Sequence, residues 1–202
     1  MEIKTIIFDL GNVLVNFDHS IAAKKLSRKS PYSIKEIYNL IFDSDIVSKY
    51  ETGHIKTDAF YKRMKALLGF DLKISEFRKI WDEIFFPNPE TEKIVRKLKK
   101  RFRLLLLSNI NHSHYEHIRI RFPILGEFDR IILSYRVGAR KPDLKIYEKA
   151  IREARCLPRE IVYIDDRADL IEAAKKIGIN SIRFKNCAHL KKELLKFGIN
   201  SF

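Results

Sequence analysis

The chain is poor in cysteine: Cys156 and Cys187 are the two thiols among 202 residues. Two thiols cannot build the multi-bridge framework of a small secreted domain. A reducing, cytoplasmic setting is therefore expected, with both cysteines as inert small apolar residues. Long apolar runs are missing too. No segment approaches the roughly 18 residues that a membrane span needs. The opening "MEIKTIIFDL" has an acid at position 2, a short apolar stretch and no small-residue cleavage site, unlike a signal peptide. Internal repeats, low-complexity tracts, zinc-finger spacings and RNA-recognition motifs are not visible, which removes the common nucleic-acid modules. Acids are in deficit: 26 Asp and Glu stand against 40 Lys and Arg, a formal net charge of +14. A basic surface attracts nucleic acid, anionic membrane or phosphorylated metabolites. The bases are dispersed, however. Their densest cluster, "RKLKKRFR" (Arg96 to Arg103), falls where a helix should end and complements its dipole. A solvated face is the simpler reading, and neither nucleic acid nor membrane is an expected partner.

What is present is a globular composition, 46% hydrophobic and 33% charged, in a length that suits one large domain or a core with a small cap. Five short apolar runs read as buried parallel strands: "KTIIFD" (4–9), "RLLLLS" (103–108), "RIILS" (130–134), "IVYID" (161–165) and "SIRF" (181–184). Helical patterns separate the last four, so right-handed βαβ units are expected. The fold class is α/β, a doubly wound, mainly parallel five-stranded Rossmann-like sheet. Residues 17–86 read differently. They hold amphipathic helical stretches, "HSIAAKKLSRK", "SIKEIYNLIFDS", "TDAFYKRMKALLG" and "KISEFRKIWDEIFF", and no convincing strand. The expected division is a core of 1–16 and 87–202 with an inserted helical cap of 17–86.

Ligands of open α/β sheets bind at the carboxyl ends of the strands. There the sequence offers Asp9, Ser108-Asn109, Lys141 a short loop after the third strand, and Asp165-Asp166. A carboxylate can attack phosphorus and form an acyl phosphate. Phosphoryl transfer then needs cations and hydrogen bonds around the equatorial oxygens. Ser108 and Lys141 suit that need, and paired carboxylates suit Mg²⁺. The order Asp9…Ser108-Asn109…Lys141-Pro142…Asp165-Asp166 resembles the four motifs of the haloacid dehalogenase-like superfamily. The resemblance runs through "FDLGNVLV", "LLLLSN", "VGARKPDLKIYEKAI" and "VYIDDRADLIEAAKKIGINSI", and "YETGHIKTDAFYKRM" is similar to a segment of that group's small helical caps. It implies Asp9 as nucleophile and Mg²⁺ ligand, and Gly11 as a ligand through its backbone carbonyl. Ser108, Asn109 and Lys141 would hold phosphate. Asp166 would be a ligand, with Asp165 behind it.

Two departures stand out. Phosphatases of this superfamily usually carry a second Asp where this chain has Gly11, to protonate the leaving group and activate water. Position 170, usually Asn or Asp, is Leu170, for which Asp169 is a candidate substitute. Asp18 is the nearest candidate acid for residue 11, against a plain role as a helix N-cap. The Asp-Leu-Gly-Asn form also resembles a branch that includes glucose-1-phosphate-type phosphatases. If the pocket admits a larger side chain, Gly11→Asp is expected to raise turnover.

Elsewhere, His112, His114 and His117 suggest either a transition-metal site or a helix start beside the second motif, with Asn111 or His112 at the pocket rim. Gly53 should turn between cap helices, and Glu51 and His54 beside it are candidates for selecting substrate. Trp81, Phe85 and Phe86 are expected at the seam of cap and core. The leading functional reading is an Mg²⁺-dependent phosphatase of a small phosphorylated metabolite, such as a sugar phosphate. A non-catalytic phospholigand-binding protein and a metal-free 2-haloacid dehalogenase are the alternatives. Asp165-Asp166 speaks against the last.

Overall fold

The computed structural model describes residues 2–42 and 44–202; Met1 and Asp43, the latter within "SIKEIYNLIFDS", lie outside them. In chain order, β1 (Thr5–Phe8) and a short β2 (Val15–Phe17) lead into helices α1 (His19–Ser27), α2 (Ile34–Phe42), α3 (Ile46–Glu51), α4 (Thr57–Leu68) and α5 (Ile74–Asp82), then β3 (Phe85–Pro87). There follow α6 (Pro89–Leu98), β4 (Arg103–Ser108), α7 (His112–Arg121), β5 (Arg130–Leu133), α8 (Ser134–Val137), α9 (Leu144–Ala154), β6 (Ile161–Asp165), α10 (Ala168–Lys175), β7 (Asn180–Arg183) and α11 (Cys187–Leu195).

The strands β5-β4-β1-β6-β7 form one parallel sheet in that order. Their side chains alternate between two helical layers. Ile6, Phe8, Leu104, Leu106, Val162 and Ile164 join residues of α6, α7 and α11 on one face; Ile7, Leu105, Leu107, Ile161 and Tyr163 join α9 and α10 on the other. Both faces are covered, which is why the strands read as unbroken apolar runs. The central strand β1 pairs with β4 and β6, and Phe8 registers with Leu106 and Ile164. Asp9 therefore follows directly beside the carboxyl ends of both neighbours, where the strand order reverses.

A third apolar cluster belongs to the inserted helices. Phe60, Met64 and Leu68 repeat every four residues along α4 and meet Phe77 and Trp81 of α5, Tyr50 of α3 and Ile37 of α2. Phe60 stacks on Tyr50 with centroids 4.3 Å apart. Truncating such a fully buried aromatic costs about 3–5 kcal/mol.

One expectation needs correcting. Strands do occur at the ends of the inserted segment: β2 pairs antiparallel with β3, Val15 with Pro87 and Phe17 with Phe85. Three-residue strands are too short for a periodicity to register. The run 130–134 also stops one residue early as a strand, because Ser134 opens α8.

Candidate active site

Asp9 leaves the sheet with its amide bonded to Ile164 O at 2.8 Å. Its Oδ1 accepts from Lys141 Nζ at 2.7 Å. Lys141 is 1% exposed, and all three of its ammonium protons are used: the others go to Asp165 Oδ2 at 2.6 Å and Leu107 O at 3.1 Å. Burial opposes the charge on Lys141, but Asp9 and Asp165 outweigh it and hold its pKa above the ordinary value. Burial raises the pKa of Asp9, Lys141 pulls against it, and Asp165 adds to the rise.

Asn109 fixes the lysine's loop. Its Nδ2 donates to Lys141 O at 2.9 Å and its Oδ1 accepts from Lys141 N at 2.8 Å. With both ends of the amide engaged, the side chain of Asn109 positions Lys141, and what it can offer an anion is its backbone. Asp165 is fully committed as well, accepting from Lys141, the Tyr163 hydroxyl and Arg167 N. Asp166 is half-buried and accepts at Oδ2 from Asn12 Nδ2 at 3.2 Å. Burial raises its pKa against that hydrogen bond. Asn12 reaches it from a left-handed turn at φ 55°, a conformation asparagine tolerates. This support was not anticipated from the sequence. Asp169, the expected substitute for a polar residue 170, is instead exposed and paired with Arg167, while Leu170 is buried.

Among the described residues, Asp9, Asp165 and Asp166 are the group close enough to share a cation, with oxygens within 4.8 Å of one another. The donor chemistry fits Mg²⁺: all ligands are oxygens, and after the hydrogen bonds above Asp9 and Asp166 retain acceptor capacity. The three histidines do not converge. His112 packs edge-on to Tyr135, and His117 leans on Phe85. His114 is buried against Trp81, its Nε2 at 3.0 Å from Trp81 O and its Nδ1 at 3.1 Å from Asn111 Nδ2. Burial lowers the pKa of His114 to about 3, so the ring is neutral.

A cavity of about 70 Å³ opens at Leu10, the residue after Asp9, with Gly11, Ser108, Asn109 and Asn111 on its core wall and Glu51, Val47 and Trp81 reaching in from the inserted helices. Glu51 ends α3 and meets Arg140 at 3.2 Å. Burial raises its pKa against Arg140, Arg167 and Lys141. His54 is exposed, hydrogen-bonds Thr52, and is not part of this wall. Gly53 does make a turn, at φ 73°, and packs so closely on the Tyr135 carbonyl that a β-carbon would collide with it. Trp81 and Phe85 line the cavity, but Phe86 is 44% exposed and takes no part in the seam. Cys156 and Cys187 are both free.

Gly11 differs from expectation. A β-carbon there would stand 2.7 Å from Cε1 of Phe17, so the ring must shift before any side chain fits. Phe17 is held by Phe85 and His19, with centroids at 6.1 and 4.9 Å. The gain expected from Gly11→Asp therefore requires the Phe17 ring to shift. Asp18 is exposed and caps α1, accepting from Ser20 N at 2.8 Å. The next residue, His19, is the one that lines the cavity. No period or motif in the sequence singles it out; it opens α1 two residues after β2, the strand that pairs with β3.

A buried carboxylate, clamped by a buried lysine, thus stands at the switch point of a parallel sheet. The family model described as haloacid dehalogenase-like hydrolase matches residues 3–178, and the chain belongs to that family. It is 26% identical over 200 residues, 95% of this chain and 97% of the relative, to a D-ribitol-5-phosphate phosphatase of Bacteroides thetaiotaomicron. It is 29% identical over 180 residues, 82% of this chain and 77% of the relative, to a glyceraldehyde 3-phosphate phosphatase of Methanothermobacter thermautotrophicus. Its fold matches a wild-type HAD-family enzyme from Bacteroides thetaiotaomicron, solved with magnesium and inorganic phosphate. The TM-score is 0.83 at 24% identity, over 93% of this chain and 98% of that one.

Proposed function

We propose that this protein is an Mg²⁺-dependent phosphatase of small phosphorylated metabolites that works through a phospho-aspartate on Asp9. The observation that carries the reading is the Lys141 clamp. A buried ammonium holds one oxygen of Asp9 and leaves the other for attack on phosphorus. As the Asp9–phosphorus bond forms, the ester bond breaks and its electron pair leaves with the alcohol oxygen. Lys141 limits the repulsion between the anionic nucleophile and the phosphate. Ser108, the backbone of Asn109 and the start of α7 supply hydrogen-bond donors where the phosphate would sit. Asp9, Asp166 and the Gly11 carbonyl would hold Mg²⁺, which supplies neutralisation of phosphate charge. Water then cleaves the acyl phosphate and frees Asp9.

The small cavity favours a compact leaving group, and the polyol- and triose-phosphate phosphatases among the relatives agree with that. Glu51 is the inserted segment's candidate for selecting among substrates, its carboxylate accepting from substrate hydroxyls. The intact Asp9–Lys141 pair supports turnover over passive ligand binding. Asp166, which retains acceptor capacity beside Asp9 and Asp165, favours a metal-assisted phosphatase over a dehalogenase. Among the described residues no helix is long and apolar enough to cross a membrane; the two free thiols fit a cytoplasmic setting.

The test is a panel of phosphate esters assayed with Mg²⁺. Phosphate release should stop on chelation, return with Mg²⁺, and be lost in a folded Asp9→Asn protein. Appreciable turnover by that variant, or full activity in excess chelator, would sink the mechanism.

A further inference from the structure

Of the three clustered carboxylates, Asp166 is the one that does not hydrogen-bond the buried lysine. We infer that Asn12 is its positioning residue: the Asn12 side-chain amide holds the Asp166 carboxylate beside its like-charged neighbours, in the orientation that binds Mg²⁺. This inference rests on the metal-dependent phosphatase reading above.

The need for such a residue follows from the charges. Asp9, Asp165 and Asp166 bring oxygens within 4.8 Å of one another. Lys141 directs its three protons to Asp9, Asp165 and Leu107 O, so none is left for Asp166. Like charges at that spacing repel, and a half-buried carboxylate relieves the repulsion by turning toward water. The donor set against that turn is Asn12 Nδ2, 3.2 Å from Asp166 Oδ2. The backbone around Asp166 is fixed already: Arg183 Nε donates to its carbonyl at 3.1 Å, and Asp165 O accepts from Phe184 N at 2.8 Å. What remains is the side-chain torsion, and that is the freedom the Asn12 amide removes.

Asn12 is itself held. Its backbone N–H donates to Val15 O at 2.9 Å, and Leu14 N and Val15 N both donate to Leu10 O at 2.9 Å. These bonds close a tight turn over residues 10–15, with Asn12 in the left-handed region at φ 55°. Asn88 Nδ2 ties the same turn through Val13 O at 3.0 Å. Asparagine tolerates that backbone and also brings an N–H donor. The hydrogen bond therefore links a closed turn, which follows Asp9 and contains Gly11, to the loop after β6. It sets the spacing between the two segments that would supply the oxygens.

Hydrogen bonds that orient a metal's ligands are typically worth about 10–100-fold in metal affinity. Asn12→Gly is the deciding variant, since glycine accepts the left-handed backbone and lacks the amide. With no substrate present, Mg²⁺ titrations read by thermal melts should show a dissociation constant raised by about that factor. The Mg²⁺ concentration for half-maximal phosphate release should rise in parallel, whereas kcat at saturating Mg²⁺ should fall much less. Asn12→Ala also lacks the amide but is strained at this φ, so it should melt lower without metal while losing the same affinity. Melts without metal identify a variant that does not fold, and the folded one of the pair then decides. Wild-type Mg²⁺ affinity in a folded Asn12→Gly protein overturns the inference even where Asn12→Ala binds weakly, because residue 12 then acts through its backbone. Failure of the underlying reading is distinguishable: then wild type itself shows no Mg²⁺-dependent melting shift, and the inference falls with it.

Discussion

Two buried polar clusters sit within this molecule, and they are built to different standards. At the carboxyl end of the sheet, Lys141 joins Asp9 and Asp165, and all three of its ammonium protons have partners. At the seam between α5 and α7, Asp82 accepts from Ser113 Oγ at 2.7 Å through Oδ2, but among the described residues its Oδ1 has no hydrogen-bond partner, and neither has Trp81 Nε1. His114 lies 3.9 Å from that Oδ1 but is neutral and donates its Nε2–H to Trp81 O, so it does not compensate the charge. Buried networks rigidify when fully satisfied and are costly when partly so. The first cluster reads as preorganised chemistry. The second is a partly satisfied joint between the inserted helices and the core, held by Ser113, Arg78 and Tyr50 but carrying an unpartnered carboxylate oxygen among the described residues.

Breaking the satisfied cluster should have the largest effect. Lys141→Met removes one partner of a buried set and leaves Asp9 and Asp165 facing each other without a cation. Such breakage costs about 3–5 kcal/mol. Denaturant melts should show a loss of that size at neutral pH, shrinking as pH falls because a protonated carboxyl no longer repels its neighbour. Phosphatase activity should be lost with it. A variant as stable as wild type would mean that the ammonium is not the keystone of this end of the sheet.

The next effect lies at Gly11. Because Phe17 fills the space, Gly11→Asp should lower stability and turnover; overpacking of this kind costs typically about 1–3 kcal/mol. Gly11→Asp with Phe17→Ala makes room for the carboxyl and should recover stability relative to the single change. If the single variant is already as stable as wild type and faster, the Phe17 ring yields easily and the steric account of residue 11 is wrong.

How much of this was legible beforehand depended on what each residue answers to. The five strands and Asp9, Ser108, Lys141 and Asp165-Asp166 lie at ends of apolar runs, and a sheet must bring such ends to one edge. The role of Asn109 was only half visible, since a side chain beside an anion site can serve the anion or the loop. Asn12, Phe17 and His19 were hidden for another reason. Their positions depend on a three-residue strand pairing across some 70 residues of helix, a contact with no local periodicity. Asp18 and His54 show how little nearness to a motif fixes: one accepts from the Ser20 amide, the other bonds the Thr52 hydroxyl, and neither lines the cavity.

The smallest expected effect tests the unsatisfied cluster. Burial pushes the Asp82 carboxyl up to about 6 from its ordinary 3.8, with Ser113 and Arg78 pulling down and Glu83 pushing up. Between those values the folded state binds more protons than the unfolded one, so this group's contribution to stability falls as pH rises. The cost is absent below the unfolded value, grows through pH 4 to 6, and is complete above the folded value. Asp82→Asn keeps an acceptor for Ser113 and carries no charge to desolvate. The difference in stability, wild type minus Asp82→Asn, should therefore decline between pH 4 and 6 and level off above. Its span should be on the order of 1–3 kcal/mol, the cost of a buried polar group left unpartnered. Paired melting curves across that range measure it directly. A difference that stays flat from pH 4 to 8 would mean that water satisfies Oδ1, and the seam would then be as well built as the Lys141 cluster. A difference that rises with pH would mean that Arg78, 3.9 Å away, governs the site, making Asp82 a stabilising ion pair.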